Sequence, residues 1–481
     1  MSLEPALRRQ LVALLGADWV RDDQVTRFSY RCDGLTLHPS LPAGVVFPGD
    51  HDQVVGVVKL LHAAGVSFLP RGAGTGLSGG AVPTTGAVII ELVRLNRIGP
   101  VNEIDRTIEV GPGVVNIQVS HAARAHGLYF VPDPSSQKAC SVGGNVAENS
   151  GGPHTLKYGV TVNHILALDV VLPDGSAHRV GGESWASPGA DLLALLIGSE
   201  GTLCIVTNII CRLTPLPPAV QTLLAVFNDV QQACEAVSAI IRAGIVPAAL
   251  EMIDNTVIRA IEQTISAGFP TDAEAVLIIE LEDIEAGITD ELAAVRRILG
   301  QVGTHEIRVA EDEAARARIW RARKEAFGAI GALSPSFYTQ DGVIPRGALP
   351  RVLARVNQIG RDHGLTIANV FHAGDGNLHP LILYDAHDPD QVAATHEVGR
   401  RILELCLAEG GTLSGEHGIG LEKNSLMDRV YSSTTLDHMA EVRAVFNPNA
   451  RLNPGKMLPE PGKCGDIKSV AALRAKSGIQ V

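Results

Sequence analysis

The chain has 481 residues, a formal net charge of −12, 46% apolar residues, 19% charged residues and 4% aromatics. That length allows two or three domains with large cores, and the negative charge disfavours non-specific binding to nucleic acid or to an anionic membrane surface. No apolar run approaches the ~20 residues that a membrane span needs, and none of the seven cysteines stands in a C-x-x-C spacing, which excludes zinc-ribbon and ferredoxin-type iron–sulfur motifs.

"MSLEPALRRQLVALLGADWV" reads as an amphipathic helix with an early acid and no small-residue cleavage site, so no signal peptide is expected. With scattered thiols that suit small core positions, this points to a reducing cytoplasm. "AGVVFPGD" is an expected strand and turn, "DQVVGVVKLLHAAG" has helical periodicity, and "VSFLP" is a strand. "AVIIEL", "TIEVGPGV" and "FVPDPSS" continue as short strands and turns, and "GGNVAENSGG" is expected to be a loop. "ILALDVVLPDG" and "LCIVTNIICRL" are strands, and proline-rich "LTPLPPAV" (213–220) marks the first domain boundary. Strands and helices then mix, with helices near 255–265 and 286–300 and a long one from roughly Glu311 to Leu333. Long connections between them imply an α+β sheet covered by helices on one face. The expected division is 1–216, 217–440 and 441–481, the last fifteen residues forming a weakly basic amphipathic tail.

"GTGLSG", Gly74 to Gly79, matches G-x-G-x-x-G. A Rossmann unit needs a long helix directly after that motif, but "AVPTTG" breaks the chain and another strand follows. The loop still has two readings: a surface loop, or consecutive glycines whose amides converge on an anion such as a pyrophosphate. "SVGGNVAENSGGPHTLKYG" and "GSEGTL" (198–203) add bare backbone, and three such loops suggest a long cofactor lying against the main chain.

In "NVFHAGDGNLHPLILY" (369–384), His372 and His379 are seven residues apart, an odd step that would send them to opposite faces of one straight strand. "AGDGN" has turn chemistry, and a reversal there lets both rings face one point. "SGEHGIG" (414–420) supplies Glu416 and His417, which must point in different directions if extended. Two histidines and a glutamate make a three-ligand metal site with open positions, or a chance grouping in a chain with 16 histidines. Arg323 shares an apolar helical stripe with Ile319 and Phe327, either snorkelling to solvent or clamping a substrate carboxylate bidentately.

In their order, "PRGAGTGLSGGA", "PDPSS", "GGNVAENSGG", "KYG" and "GSEGTL" resemble the loops of flavoproteins of the vanillyl-alcohol-oxidase type. The resemblance implies an α+β protein: a two-subdomain FAD-binding domain over 1–216, an α+β substrate (cap) domain with a metal site over 217–440, and a C-terminal return to the FAD domain. It places Arg71, Gly72, Ala73, Gly74, Thr75, Gly76, Ser78 and Gly79 on the pyrophosphate. Pro132, Ser135, Gly143, Gly144, Asn145, Gly151, Glu200 and Gly201 become further flavin contacts. Some members bond FAD through a histidine; the first loop here has none, so non-covalent FAD is expected. "LNPGKMLP" (452–459) resembles the return to the flavin, through Asn453 and Lys456.

"FHAGDGNLHP" and "SGEHGIG" resemble the metal and base segments of FAD-linked D-2-hydroxyacid dehydrogenases. By that resemblance His372, His379 and Glu416 hold a divalent metal, with mixed N/O ligation suiting zinc, and His417 is the general base. Arg323 becomes the carboxylate clamp, with Arg321 and Lys324 as neighbours able to take its place. "WRARKEAFGAIGALSPSFYTQDGVIPR" resembles the flavin subunits of bacterial glycolate oxidases. Relatives that take dicarboxylates carry an extra lysine where this chain has Thr339, which favours a small monocarboxylate, glycolate or D-lactate. Such subunits work with a second flavin subunit and an iron–sulfur subunit, which would tie a cytoplasmic chain to the inner membrane only through its partners. The competing readings are a D-lactate or 2-hydroxyglutarate dehydrogenase acting alone, a flavin-free metal-dependent hydrolase, and a non-catalytic flavin-binding subunit.

Overall fold

A computed structural model describes residues 2–184 and 189–459; the basic tail lies outside them. The chain divides into two compact units. The first takes in the described residues within 1–150, 160–215 and 416–481; the second takes in 151–159 and 216–415. The change near residue 216 coincides with the proline-rich stretch, whereas the return to the first unit begins at Glu416, earlier than residue 441.

In the first unit, α1 (Pro5–Leu15) precedes a β–α–β element: β1 (Gly44–Val46), α2 (His51–Ala64) and β2 (Phe68–Arg71). Asp50 caps α2 by accepting from the Gln53 amide at 2.8 Å, and Gly65 closes it in the left-handed conformation. Val54, Val57, Val58 and Leu61 repeat at helical spacing and are all buried. Burial of each such side chain contributes ~1.5–3 kcal/mol. β3 (Val88–Glu91) pairs in parallel with both β1 and β2. A second, antiparallel sheet joins β4 (Ile98–Asn102), β5 (Thr107–Val110), β6 (Ile165–Val171), β7 (Ala177–Gly181) and β8 (Ile205–Arg212) in the order β4-β5-β8-β6-β7.

"GGNVAENSGG" is not the loop expected of it. Val142–Glu148 is a helix, α3, whose N-terminus is capped by Ser141 accepting from the Gly144 amide at 3.2 Å. Val142, Asn145 and Val146 are buried at helical spacing, and that packing overrides the poor helix propensity of two glycines. Asn149 ends the helix with a φ of +54°.

The second unit is built on one mixed-length antiparallel sheet. β9 (Ala219–Phe227), β10 (Ala249–Asp254), β11 (Ala275–Asp283) and β12 (Glu306–Val309) lie in the order β12-β9-β11-β10. Next to β10 comes β13 (Thr366–His372), which turns into Asn377–Leu378 and then β14 (Pro380–Tyr384). Two helices of the expected set, α4 (Asn255–Thr264) and α5 (Glu313–Ile330), share one core with Ala249, Ile253, Ile278, Val370 and Leu381. Those residues alternate along their strands, so the core marks one face of the sheet. Asp312 caps α5 from the Ala315 amide at 2.7 Å.

Candidate active site

In the first unit the glycine loop is held by its carbonyls. Lys456 Nζ donates to the Val82 carbonyl at 2.7 Å, Asn453 Nδ2 to that of Gly80 at 2.9 Å, and Arg71 Nη1 to that of Ala81 at 3.1 Å. The amides of Leu421 and Glu422 donate to the Ser78 carbonyl at 2.9 and 3.1 Å. Gly74 and Gly79 have φ of +66° and +81°, a conformation that any other residue would adopt with strain. A Cβ at Gly74 would come 2.1 Å from Arg71, whereas one at Gly76 would meet nothing nearer than 3.9 Å. The loop is therefore packed against protein at one end and bare at Gly76, which fits a cradle for a bulky anion such as the FAD pyrophosphate. Thr75 and Ala73 lie on the same stretch, Ala73 exposed.

Around this loop the predicted flavin residues have side-chain tasks of their own. Asn145 accepts from Asn116 Nδ2 at 2.9 Å, and the same Asn116 group donates to the Pro132 carbonyl at 2.9 Å. Ser135 is exposed. A Cβ on Gly143 would lie 2.9 Å from the Pro112 carbonyl oxygen, and one on Gly201 2.7 Å from Pro70, so both glycines are needed for close packing. Gly151 belongs to the stretch 151–159 of the second unit. Buried Glu200 accepts the amides of Ile419 and Gly420 at 2.6 and 2.7 Å, which fixes the segment just after His417. Burial pushes this carboxyl up to about 6 against the lowering effect of those two amides. Burial and the neighbouring charges of Glu200 and Asp33 push Glu148 up as well. Glu416 and His417 open this last stretch of the first unit.

The second unit brings His372, His379 and Arg323 together. His372 is in register with Asn377, and Asn369 with Pro380. His379 is two residues beyond Asn377, so it shares a face with His372. The rings meet edge-on with centroids 5.1 Å apart, and both are buried. The turn at "AGDGN" thus forms as expected. One strand over, Glu251 is directly in register with His372. Its carboxylate lies 2.8 and 2.9 Å from His372 Nδ1. The same carboxylate accepts from Arg323 Nε at 2.7 Å, with Nη2 at 2.6 Å.

Arg323 is fully buried, so it does not snorkel. Neither Nη1 nor Nη2 makes a hydrogen bond among the described residues, Nη2 being held to Glu251 by charge alone. A buried guanidinium with orphaned N–H groups is suited to an anion. Burial alone would raise the Glu251 carboxyl; the His372 ring and the Arg323 guanidinium outweigh it and hold the group below its ordinary range. Asp341, fully buried, accepts from Ser414 Oγ at 2.7 Å and the Gly415 amide at 3.1 Å, and lies 3.6 Å from His379 Nε2. It thereby fixes the residue preceding Glu416. A carboxylate behind His372 and buried imidazoles side by side fit a bound divalent ion. Arg321 instead faces solvent in an ion pair with Glu325.

Glu251 and Asp341 were missed in the sequence. For Glu251 the available signal was an acid between apolar residues in "AALEMI", on the same alternation as Ala249 and Ile253.

Residues 42–181 match the family model described as FAD binding domain, and residues 216–457 the one described as FAD linked oxidases, C-terminal domain. The chain is 47% identical over 438 residues to the glycolate oxidase subunit GlcD of Escherichia coli (strain K12), covering 91% of this chain and 88% of that protein. It is 31% identical over 418 residues to the D-lactate dehydrogenase of Archaeoglobus fulgidus, covering 86% and 91%. Among solved structures, 4-ethylphenol oxidase from Gulosibacter chungangensis has a TM-score of 0.80 at 20% identity, covering 95% of this chain and 97% of that one; this likeness is one of fold.

Proposed function

This chain belongs to the family of FAD-linked oxidases, and from that premise we infer that it oxidises a small 2-hydroxy acid, glycolate or D-lactate, to the 2-oxo acid and passes the electrons to an acceptor other than oxygen. The observation that carries this reading is the buried Arg323 beside the His372–His379 pair, whose Nη1 has no hydrogen-bond partner among the described residues. FAD, cradled non-covalently by the glycine loops, supplies the two-electron acceptor, and a divalent ion, best matched by zinc, on His372, His379 and Glu416 supplies Lewis acidity.

The chain's own residues do the rest. Arg323 offers Nη1 to the substrate carboxylate and so fixes the direction of the Cα–H bond. An imidazole nitrogen of His417 takes the proton of the 2-hydroxyl, the general-base task an imidazole side chain can perform. Burial of Arg323, His372 and His379 keeps water from weakening these interactions. Thr339, in the segment Ser336–Thr339, adds no second cation, which favours a monocarboxylate over a dicarboxylate.

The six described cysteines are scattered thiols, so an iron–sulfur centre would come from another subunit. A second flavin subunit and an iron–sulfur subunit are the partners this reading calls for. It places the chain in the cytoplasm, reaching a membrane only through them; no described helix is long and apolar enough to cross one.

The test is anaerobic addition of D-lactate, then glycolate, to purified protein while following the visible flavin band. Bleaching is the expected result. A flavin band that neither acid bleaches, even with partner subunits added, would overturn the substrate assignment.

A further inference from the structure

We propose that Glu251 is a positioning residue whose single carboxylate aligns a metal-binding imidazole, His372, and the substrate-binding guanidinium, Arg323, at once. This rests on the reading of those two residues given above and deepens it.

Backbone register brings the three groups together. Glu251 and His372 are partners on adjacent antiparallel strands, so their side chains rise on the same face. Helix α5 lies over that face and inserts Arg323 from above. All three residues are at most 3% exposed.

The chemistry follows from what each group can donate. A carboxylate only accepts, so the 2.8 and 2.9 Å contacts require His372 to carry its proton on Nδ1. That leaves the Nε2 lone pair as the one able to bind a metal, with the ring held at a fixed angle. On the other side, Arg323 donates to Glu251 Oε2 from Nε at 2.7 Å, and Nη2 lies 2.6 Å from the same oxygen as an ion pair, along one edge of the guanidinium. That edge contact leaves Nη1, which has neither a hydrogen bond nor an ion pair among the described residues, at the far end of the fork. One anion therefore sets the tautomer of the imidazole and the heading of the guanidinium, and it neutralises the arginine while the substrate site is empty.

Glutamine in this position could not do both. Its amide has one acceptor oxygen and an NH₂ group, and the NH₂ would face a donor on either His372 or Arg323. The test uses full-length Glu251→Gln protein with FAD content and near-ultraviolet circular dichroism as checks of folding. Two affinities are then measured: Zn²⁺ by competition with a chromogenic chelator, and acetate, as a bare carboxylate, by its perturbation of the flavin spectrum. Zinc binding should weaken 10- to 100-fold, the range seen when the outer partner of a ligating histidine is lost, and acetate binding at least ~10-fold. His379→Ala is the control that should lose zinc and keep acetate.

If Glu251→Gln leaves a poorly folded chain, Arg323→Met and the double variant Glu251→Gln/Arg323→Met remove the uncompensated charge. The double variant should still bind zinc at least ~10-fold more weakly than Arg323→Met alone. Wild-type zinc or acetate affinity in a folded Glu251→Gln protein overturns the proposal. Failure of the wild-type chain itself to bind zinc or acetate would show that the functional reading is wrong, and the proposal falls with it.

Discussion

Glu280 and Glu251 are both fully buried on one face of the same sheet, and each is met by an arginine from the same helix, yet one is closed and the other is open. Glu280 takes Arg316 on both oxygens at 2.9 Å, Thr222 Oγ1 at 2.6 Å and Trp320 Nε1 at 2.5 Å, with His154 Nε2 at 3.4 Å. Despite its burial, these donors hold its carboxyl far below the ordinary range. Among the described residues Glu251 is met by His372 and Arg323, and that arginine keeps Nη1 without a hydrogen bond. Saturation is the mark of a structural node, because every buried lone pair and N–H is answered. An unanswered buried donor has a cost that folding alone does not recover, and it belongs where a ligand will arrive.

The largest effect should come from breaking the closed node. Glu280→Ala leaves the Trp320 N–H and the Thr222 hydroxyl without their acceptor and Arg316 with only its longer contacts to Glu313 among the described residues. Loss of one partner of a buried pair typically costs ~3–5 kcal/mol; Arg316 retains 29% side-chain exposure, so ~3 kcal/mol is the expected loss. Urea unfolding followed by circular dichroism measures it. A loss below ~1 kcal/mol would mean that saturation at Glu280 does not stabilise the fold.

Next in size is a change at the open node that leaves stability nearly intact. Arg323→Lys keeps a cation for Glu251 but removes the fork. Loss of one charge-assisted contact of ~2–3 kcal/mol corresponds to a ~30- to 150-fold fall in kcat/KM for D-lactate or glycolate. Steady-state kinetics with an artificial electron acceptor would read it. Wild-type kcat/KM in the lysine variant would remove Arg323 from the substrate site.

This contrast also explains what could be read from the sequence. Helix α2 was legible because Val54, Val57, Val58 and Leu61 mark one face and Asp50 and Gly65 mark its ends. The meeting of His372 and His379 was legible because "AGDGN" is a local turn signal. Arg323 stood out as a charge on an apolar stripe. Helix α3 was not legible, since its two glycines argue against a helix and only burial of Val142, Asn145 and Val146 decides the matter. Glu251 and Glu280 escaped for a different reason: pairing between strands far apart in sequence chooses their partners, and no local pattern encodes that register. The division at Glu416 escaped likewise, because packing and not composition sets it.

The smallest effect is expected at His154, and it sharpens the comparison from the other side. His154, Glu280 and Glu282 place potential ligand atoms within 4.8 Å of one another, a grouping that could suggest a second metal site. The hydrogen-bond pattern argues against it. Both Glu280 oxygens already accept from Arg316, and Glu282 Oε2 accepts from Tyr158 at 2.6 Å with Lys157 Nζ at 3.8 Å. An ion would have to displace two cations and several donors, whereas at Glu251 the arginine leaves N–H groups over. His154 contributes a long contact to Glu280 and a stacked one to Trp320, with centroids 5.7 Å apart. His154→Gln should therefore cost about 1 kcal/mol or less and leave bound metal per chain unchanged by elemental analysis. A drop in metal content would move the metal site to the closed node, and it would break the rule that separates the two glutamates.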